Sequence, residues 1–296
     1  ATFAPARGLS RVFDSDLWWS FTRSPVVVVS ATVALTMVLS ALAAPWIAPH
    51  DPFNLATLDL LDAFTPPVWL AEGDWRFLLG TDDQGRDVLS TIMHGARISL
   101  FVGFASVLFS MTLGVALGLL AGYLGGTTDA VLMRIADIQL TFPSILVALL
   151  IDGLVRAMLP RELHDQIALW VVIFAIGVSN WVQFARTVRG STLVEKNKEY
   201  VMAARVIGLS PVRIMVSHVL PNVMGPVLVI ATLNLGFAIL AEATLSFLGV
   251  GVPPTQPSLG TLIRIGNDFL FSGEWWITLF PGITLAVIVL SVNLLG

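Results

Sequence analysis

The sequence predicts an all-α, polytopic membrane protein with six transmembrane helices, and three observations carry the prediction. The 296-residue chain is 56% hydrophobic and 12% charged, with a mean hydropathy of +0.84. That is too apolar for a water-soluble domain of this length. The apolar residues come in uncharged runs long enough to cross a hydrocarbon core of roughly 30 Å, which takes about 20 helical residues. Finally, Lys and Arg collect on one side of the spans those runs define.

Five uncharged runs are clear: 26–49, 99–128, 166–185, 214–241 (His218 taken as neutral) and 275–296. A sixth, 138–151, has only 14 residues between Asp137 and Asp152 and must borrow a turn at each end. It is expected to cross because the orientation of the other five requires it. The first run contains Ala41-Leu42-Ala43, which resembles a signal-peptidase site. Its apolar core is too long for a signal peptide and about 25 residues precede it, so it is expected to be an uncleaved anchor. With no cysteine, no disulfide framework or thiolate chemistry is available.

With the N-terminus inside, 10 of the 16 Lys and Arg fall on the inner side, and six of them (Arg186, Arg189, Lys196, Lys198, Arg205 and Arg213) lie in the loop after the fourth span. That loop and both termini are therefore expected to be cytoplasmic. The chain divides into 1–97, holding the N-terminal segment, first span and a large outer loop, and 98–296, a five-helix core with an inner loop at about 186–213.

Taken in order, the N-terminal segment holds Leu17, Trp18, Trp19 and Phe21 beside Arg23, a composition suited to an interfacial helix or a plain anchor. The outer loop, 50–97, carries eight carboxylates against three arginines, and Pro52, Pro66 and Pro67 argue against a continuous helix there. Within GTDDQGRDVLS, Thr81 and Gln84 have the spacing of a capping box. A calcium site at Asp82, Asp83 and Asp87 is the weaker reading, because the pattern of a known calcium loop is missing. The second span carries Gly114, Gly118 and Gly122 at four-residue spacing. Such a ridge admits another helix at close range, either from this chain or from another subunit.

In the inner loop, EYVMAARVIGLSPVRI reads as a short helix, a break and a new helix. Tyr200, Ala203, Ala204 and Ile207 are spaced to share a face. Gly208 ends the helix in a left-handed conformation, and Ser210 caps the next helix with Pro211 in its first turn. Two alanines are too small to anchor the helix in lipid, so a groove on a partner protein is the better fit. The last outer loop, FLGVGVPPTQPSLG, predicts irregular backbone packed on protein or lining a cavity. Glu242, at the outer end of the fifth span, is either a functional intramembrane carboxylate or an interfacial group in contact with water.

GTDDQGRDVLS, GARISL, AGYLGG, EYVMAARVIGLSPVRIMVSHVLPN and EATLSFLGVGVPP, in that order, resemble the signatures of the C-type permease subunit of bacterial dipeptide and oligopeptide ABC importers. The resemblance runs from about Trp46 to the end of the sequence. It implies the type I ABC importer permease fold, residence in the bacterial inner membrane and a pathway formed with a second, homologous permease. It further implies one or two cytoplasmic ATPase subunits that bind ATP and Mg, and an extracytoplasmic substrate-binding protein. By position in the family motif, Glu199, Ala203, Ala204 and Gly208 belong to a coupling helix that docks on the ATPase, with Tyr200 and Ile207 beside them.

The chain has no Gly-Lys pair and hence no P-loop, so it is expected to hold no cofactor and to be no enzyme. His50, His94, His164 and His218 are scattered, with neither HExxH nor a serine–base pairing. No metal ligand or nucleic-acid partner is expected, membrane lipid is expected as a partner, and no residue is assigned to the substrate pathway. An ion-coupled secondary transporter is the alternative, disfavoured because no Asp, Glu, Lys or Arg sits mid-span and no internal repeat is visible. Asn180, Gln183, Asn234 and Asn293 either line a path or bond across helices.

Overall fold

The computed structural model describes residues 22–54, 58–253 and 255–295. Leu17, Trp18, Trp19 and Phe21 lie outside them. Ten α-helices appear among the described residues. They are α1 (Pro25–Ile47), α2 (Val88–Leu124), α3 (Gly126–Leu140), α4 (Ser144–Met158), α5 (Arg161–Glu195), α6 (Glu199–Val206), α7 (Pro211–Ile214), α8 (Leu220–Phe247), α9 (Leu259–Asn267) and α10 (Trp276–Leu295). A π-helical turn, Met215–Val219, joins α7 to α8. No strand occurs among the described residues beyond an isolated bridge between Thr81 and Asp87.

Among the described residues, five helical segments are long and apolar enough to cross a membrane: α1, α2, Gln166–Glu195 of α5, the run Pro211–Phe247 and α10. The sixth expected span takes a different form. It is the pair α3 and α4, bent by 93° at Thr141–Pro143. Pro143 supplies the physical reason: it biases the residue before it away from the helical region and has no N–H to continue the ladder. The pair still reaches from one end of the bundle to the other. Arg189 binds Asp129 near its start, and near its finish Arg156 donates to the carbonyls of Val250 (3.1 Å) and Gly251 (3.3 Å).

At one end of the bundle the acidic loop folds on itself and onto α10. The capping box expected at Thr81 and Gln84 is not formed. Thr81 is buried and donates to the Asp62 carbonyl at 2.5 Å, while Asp87 caps α2 by accepting from the Ser90 N–H at 2.9 Å. The spacing fitted a cap, but the helix starts six residues later than the motif requires. Asp82 accepts from the N–H groups of Gln84 and Arg86, both at 2.9 Å, and pairs with the buried Arg86 guanidinium at 2.6 Å. The turn is thus held by its own side chains, and the Trp276 indole donates to the Thr81 carbonyl at 3.0 Å. α2 runs unbroken through positions 97 and 98, so the division drawn there falls within a helix.

The glycine ridge of α2 lies against α5 of the same chain. A Cβ at Gly114 would stand 2.5 Å from the Phe184 Cβ, one at Gly118 2.5 Å from the Ala185 carbonyl oxygen, and one at Gly122 2.7 Å from the Thr192 Cβ. The ridge is therefore an intrachain seam. Around it, Val102, Val172, Ile176, Phe184, Val188 and Val223 form the main apolar core. In the membrane, where burial from water drives nothing, such close van der Waals packing is what associates the helices. Asn234 donates to the Ile230 carbonyl within α8 at 3.0 Å, and Asn293 packs where a Gly236 side chain would stand.

Candidate functional site

At the end of the bundle opposite the acidic loop, α5, α6 and α7 build a basic corner. α6 starts at Glu199, whose carboxylate in the first turn complements the positive end of the helix. It stops in a Schellman motif: the Leu209 N–H reaches the Ala204 carbonyl at 3.1 Å, and the Gly208 N–H reaches the Arg205 carbonyl at 3.0 Å. Gly208 has φ +81, a conformation that costs glycine little. Ser210 then caps α7, accepting from the Arg213 N–H at 3.4 Å, with Pro211 at its start.

The face expected to unite Tyr200, Ala203, Ala204 and Ile207 is divided in the fold. Val201 and Ala204, three residues apart, turn inward and join the main core with Ile214 and Val219. Ala204 therefore packs within its own chain. The outward face consists of Glu199, Met202, Ala203, Val206 and Ile207, with Val206 88% and Ile207 73% exposed. Met202 and Val206, missing from the expected site, were detectable by the same i, i+4 spacing had the inward face been placed on Val201.

Tyr200 lies between the two faces and ties α6 down. Its hydroxyl donates to the Glu195 carboxylate at the end of α5, accepts from the Asn222 side-chain amide at 3.1 Å and lies 3.3 Å from the His218 carbonyl. Burial, followed by the Glu195 carboxylate, pushes the Tyr200 phenol up to about 12. The Arg205 guanidinium sits over the Tyr123 ring, 5.2 Å from its centroid, and Lys196 donates to the Gly122 carbonyl at 2.7 Å. The corner is thus a rigid mount for an apolar surface that points away from the bundle. Patches of this kind on a protein surface mark contacts with other proteins or with a membrane.

Glu242 is not the water-contacting interfacial group that one of the two expectations allowed. It is fully buried, out of contact with water. Ser99 of α2 and Ser246 of α8 each donate to it at 2.7 Å. Ser99 also accepts from the Leu259 N–H at 3.2 Å, and Ser246 from the Val252 N–H at 3.2 Å. The carboxylate therefore sits at the centre of a network joining α2, α8, the Gly/Pro-rich loop and the start of α9.

A bundle that is helical throughout its described residues, with five or six candidate spans and an exposed helix between two of them, defines a multi-pass membrane protein. The chain belongs to the family of inner membrane components of binding-protein-dependent transport systems, whose model matches residues 114–296; residues 15–67 match the N-terminal transmembrane domain of oligopeptide transport permease C. Among its relatives, the di/tripeptide transport system permease protein DppC of Pseudomonas aeruginosa is 40% identical over 99% of this chain and 93% of its own length. The dipeptide transport permease DppC of Haemophilus influenzae is 36% identical, over 100% of this chain and 94% of its own length. The oligopeptide permease OppC of Bacillus subtilis is 35% identical, over 95% of this chain and 86% of its own length. In fold, the chain resembles the inward-facing MetNI methionine ABC transporter, with a TM-score of 0.53 and 21% identity across 69% of this chain and 91% of that one.

Proposed function

We propose that this chain is one of two homologous permease subunits of an ATP-binding cassette importer for short peptides. Its partners are one or two cytoplasmic ATPase subunits, which bind ATP and Mg, and an extracytoplasmic substrate-binding protein. The chain itself catalyses no reaction. It lies in the bacterial inner membrane with both termini and the basic corner in the cytoplasm, as the distribution of Lys and Arg favours.

The observation that carries this reading is the outward face of α6. Glu199, Met202, Ala203, Val206 and Ile207 form a compact surface for a groove on the ATPase, and Tyr200, Ala204 and Gly208 hold it in place. Closure of the ATPase dimer displaces α6. Val201 and Ala204 carry the movement into the core, and the Tyr200 hydroxyl carries it toward the π-turn and α8. The cycle turns only if the ATPase contacts α6 differently in its two states. Peptide as cargo is supported by the names of the relatives.

The test is purification of the complex from native membranes, with uptake followed in proteoliposomes supplied with ATP and a peptide-loaded binding protein. Gly208→Pro and Glu199→Lys are expected to abolish ATP-driven uptake while the chain remains inserted. Normal uptake by both variants overturns the role of α6. Uptake driven by an ion gradient without ATP replaces the importer with a secondary transporter.

A further inference from the structure

On the acidic side of the bundle a groove of about 820 Å³ opens between α1 and α2. Val38 and Leu42 form one wall, and Phe101 and Phe104 the other, while His94, Arg97, Thr255 and Gln256 are its polar members, Arg97 the one that always carries charge. At 1.5 Å per helical residue, Val38 lies about 14 Å below the end of α1 and Phe104 about 10 Å below Arg97. The groove therefore descends through most of one leaflet, whose hydrocarbon is about 15 Å thick.

Arg97 differs from the other arginines of the acidic stretch. Arg76 pairs with Asp62 and Asp74, and Arg86 pairs with Asp82. Arg97 is exposed and makes no hydrogen bond or ion pair among the described residues. A free guanidinium above a slot lined by alkyl and aromatic side chains matches an anionic headgroup joined to an acyl chain. A peptide fits the apolar part of the slot poorly, because Val38, Leu42, Phe101 and Phe104 offer its amide groups no partners and unpaired amides are costly to bury.

We propose that this groove binds one anionic phospholipid of the leaflet on the acidic side, with its phosphate on Arg97 and an acyl chain between α1 and α2. The site is separate from α6, and its test reads bound lipid rather than uptake, so its failure leaves the importer reading untouched. The intact complex is equilibrated with vesicles of equal phosphatidylglycerol and phosphatidylcholine, and retained lipid is counted by native mass spectrometry. Phosphatidylglycerol is expected to be preferred. Arg97→Gln is expected to lower that preference about fivefold, the worth of one cation near a lipid surface. Arg97→Lys should keep most of the preference, and Leu42→Trp, which fills the exposed side of the slot, should reduce retention of both lipids. Equal retention of the two lipids by the unaltered complex, or an unchanged preference in Arg97→Gln, overturns the proposal. So does a complex that retains no lipid and shields a Leu42→Cys thiol from a membrane-permeant maleimide, since a neighbouring subunit then fills the groove.

Discussion

The seam between α2 and α5 and the outward face of α6 use small and apolar residues to opposite ends. At the seam, Gly114, Gly118 and Gly122 let two backbones meet so closely that even a methyl group has no space. On α6, Val206 and Ile207 project from the bundle with nothing of their own chain over them. The first surface is complete within the chain and the second is not. A run of small residues in a membrane helix therefore does not announce a subunit contact. An apolar face left open by a rigidly anchored helix is better evidence for one.

The contrast is broken most severely at the seam. In Gly118→Leu the new Cβ would meet the Ala185 carbonyl at 2.5 Å, and backbone cannot step aside. Overpacking on this scale is expected to cost about 3 kcal/mol or more, seen as loss of the monodisperse complex on gel filtration and a lower Tm. Gly225→Ala, where a Cβ would meet nothing within 4 Å, should leave both unchanged or slightly improved.

On the open face, Val206→Asp and Ile207→Asp are each expected to weaken docking of the ATPase by about 2 kcal/mol, roughly thirtyfold, as for a central contact residue. The Tm of the separated chain should hold within about 0.5 kcal/mol of stability, as for exposed substitutions. Ala204→Asp should do the reverse and destabilise the chain itself, because Ala204 lies in the core. Equal effects of Val206→Asp and Ala204→Asp on Tm would erase the distinction between the faces.

A smaller effect is expected at the start of α2. Asp87→Ala removes the cap on Ser90 and should cost about 1 kcal/mol, measured by thermal unfolding, whereas Thr81→Ala tests the buried bond to Asp62 instead of a cap. The smallest effect concerns Tyr200. Its folded pKa of about 12 lies above the ordinary value of 10.0, so the folded chain holds the phenolic proton more tightly than the unfolded one. That contribution is complete below pH 10.0 and is lost as pH rises to about 12. Tyr200→Phe is expected to flatten this part of the stability–pH curve, followed by unfolding in detergent at successive pH values.

Much of the fold was legible in the sequence because the bilayer imposes a simple rule: a span is a long uncharged run, and five such runs coincide with helices. The break of α6 at Gly208 and the cap at Ser210 were legible too, since both depend on local backbone conformation. The cap on α2 was misplaced because Thr81 and Asp87 both suit the position. The choice between them rests on Asp62 and Trp276, which are distant in sequence. Met202 and Val206 were overlooked because helical spacing defines faces without saying which one turns inward.

The sequence by itself determined that the chain crosses the membrane, where its spans lie and where its basic loop breaks, because hydrophobic length, loop charge and backbone preference act over neighbouring residues. Tertiary structure alone decided which neighbours meet. It placed the glycine ridge on α5, buried Glu242 under Ser99 and Ser246, bent the sixth span at Pro143, and turned Ala204 inward while leaving Val206 outside. Each of these outcomes depends on which side chains fill a shared volume, a property of packed helices that no single stretch of residues contains.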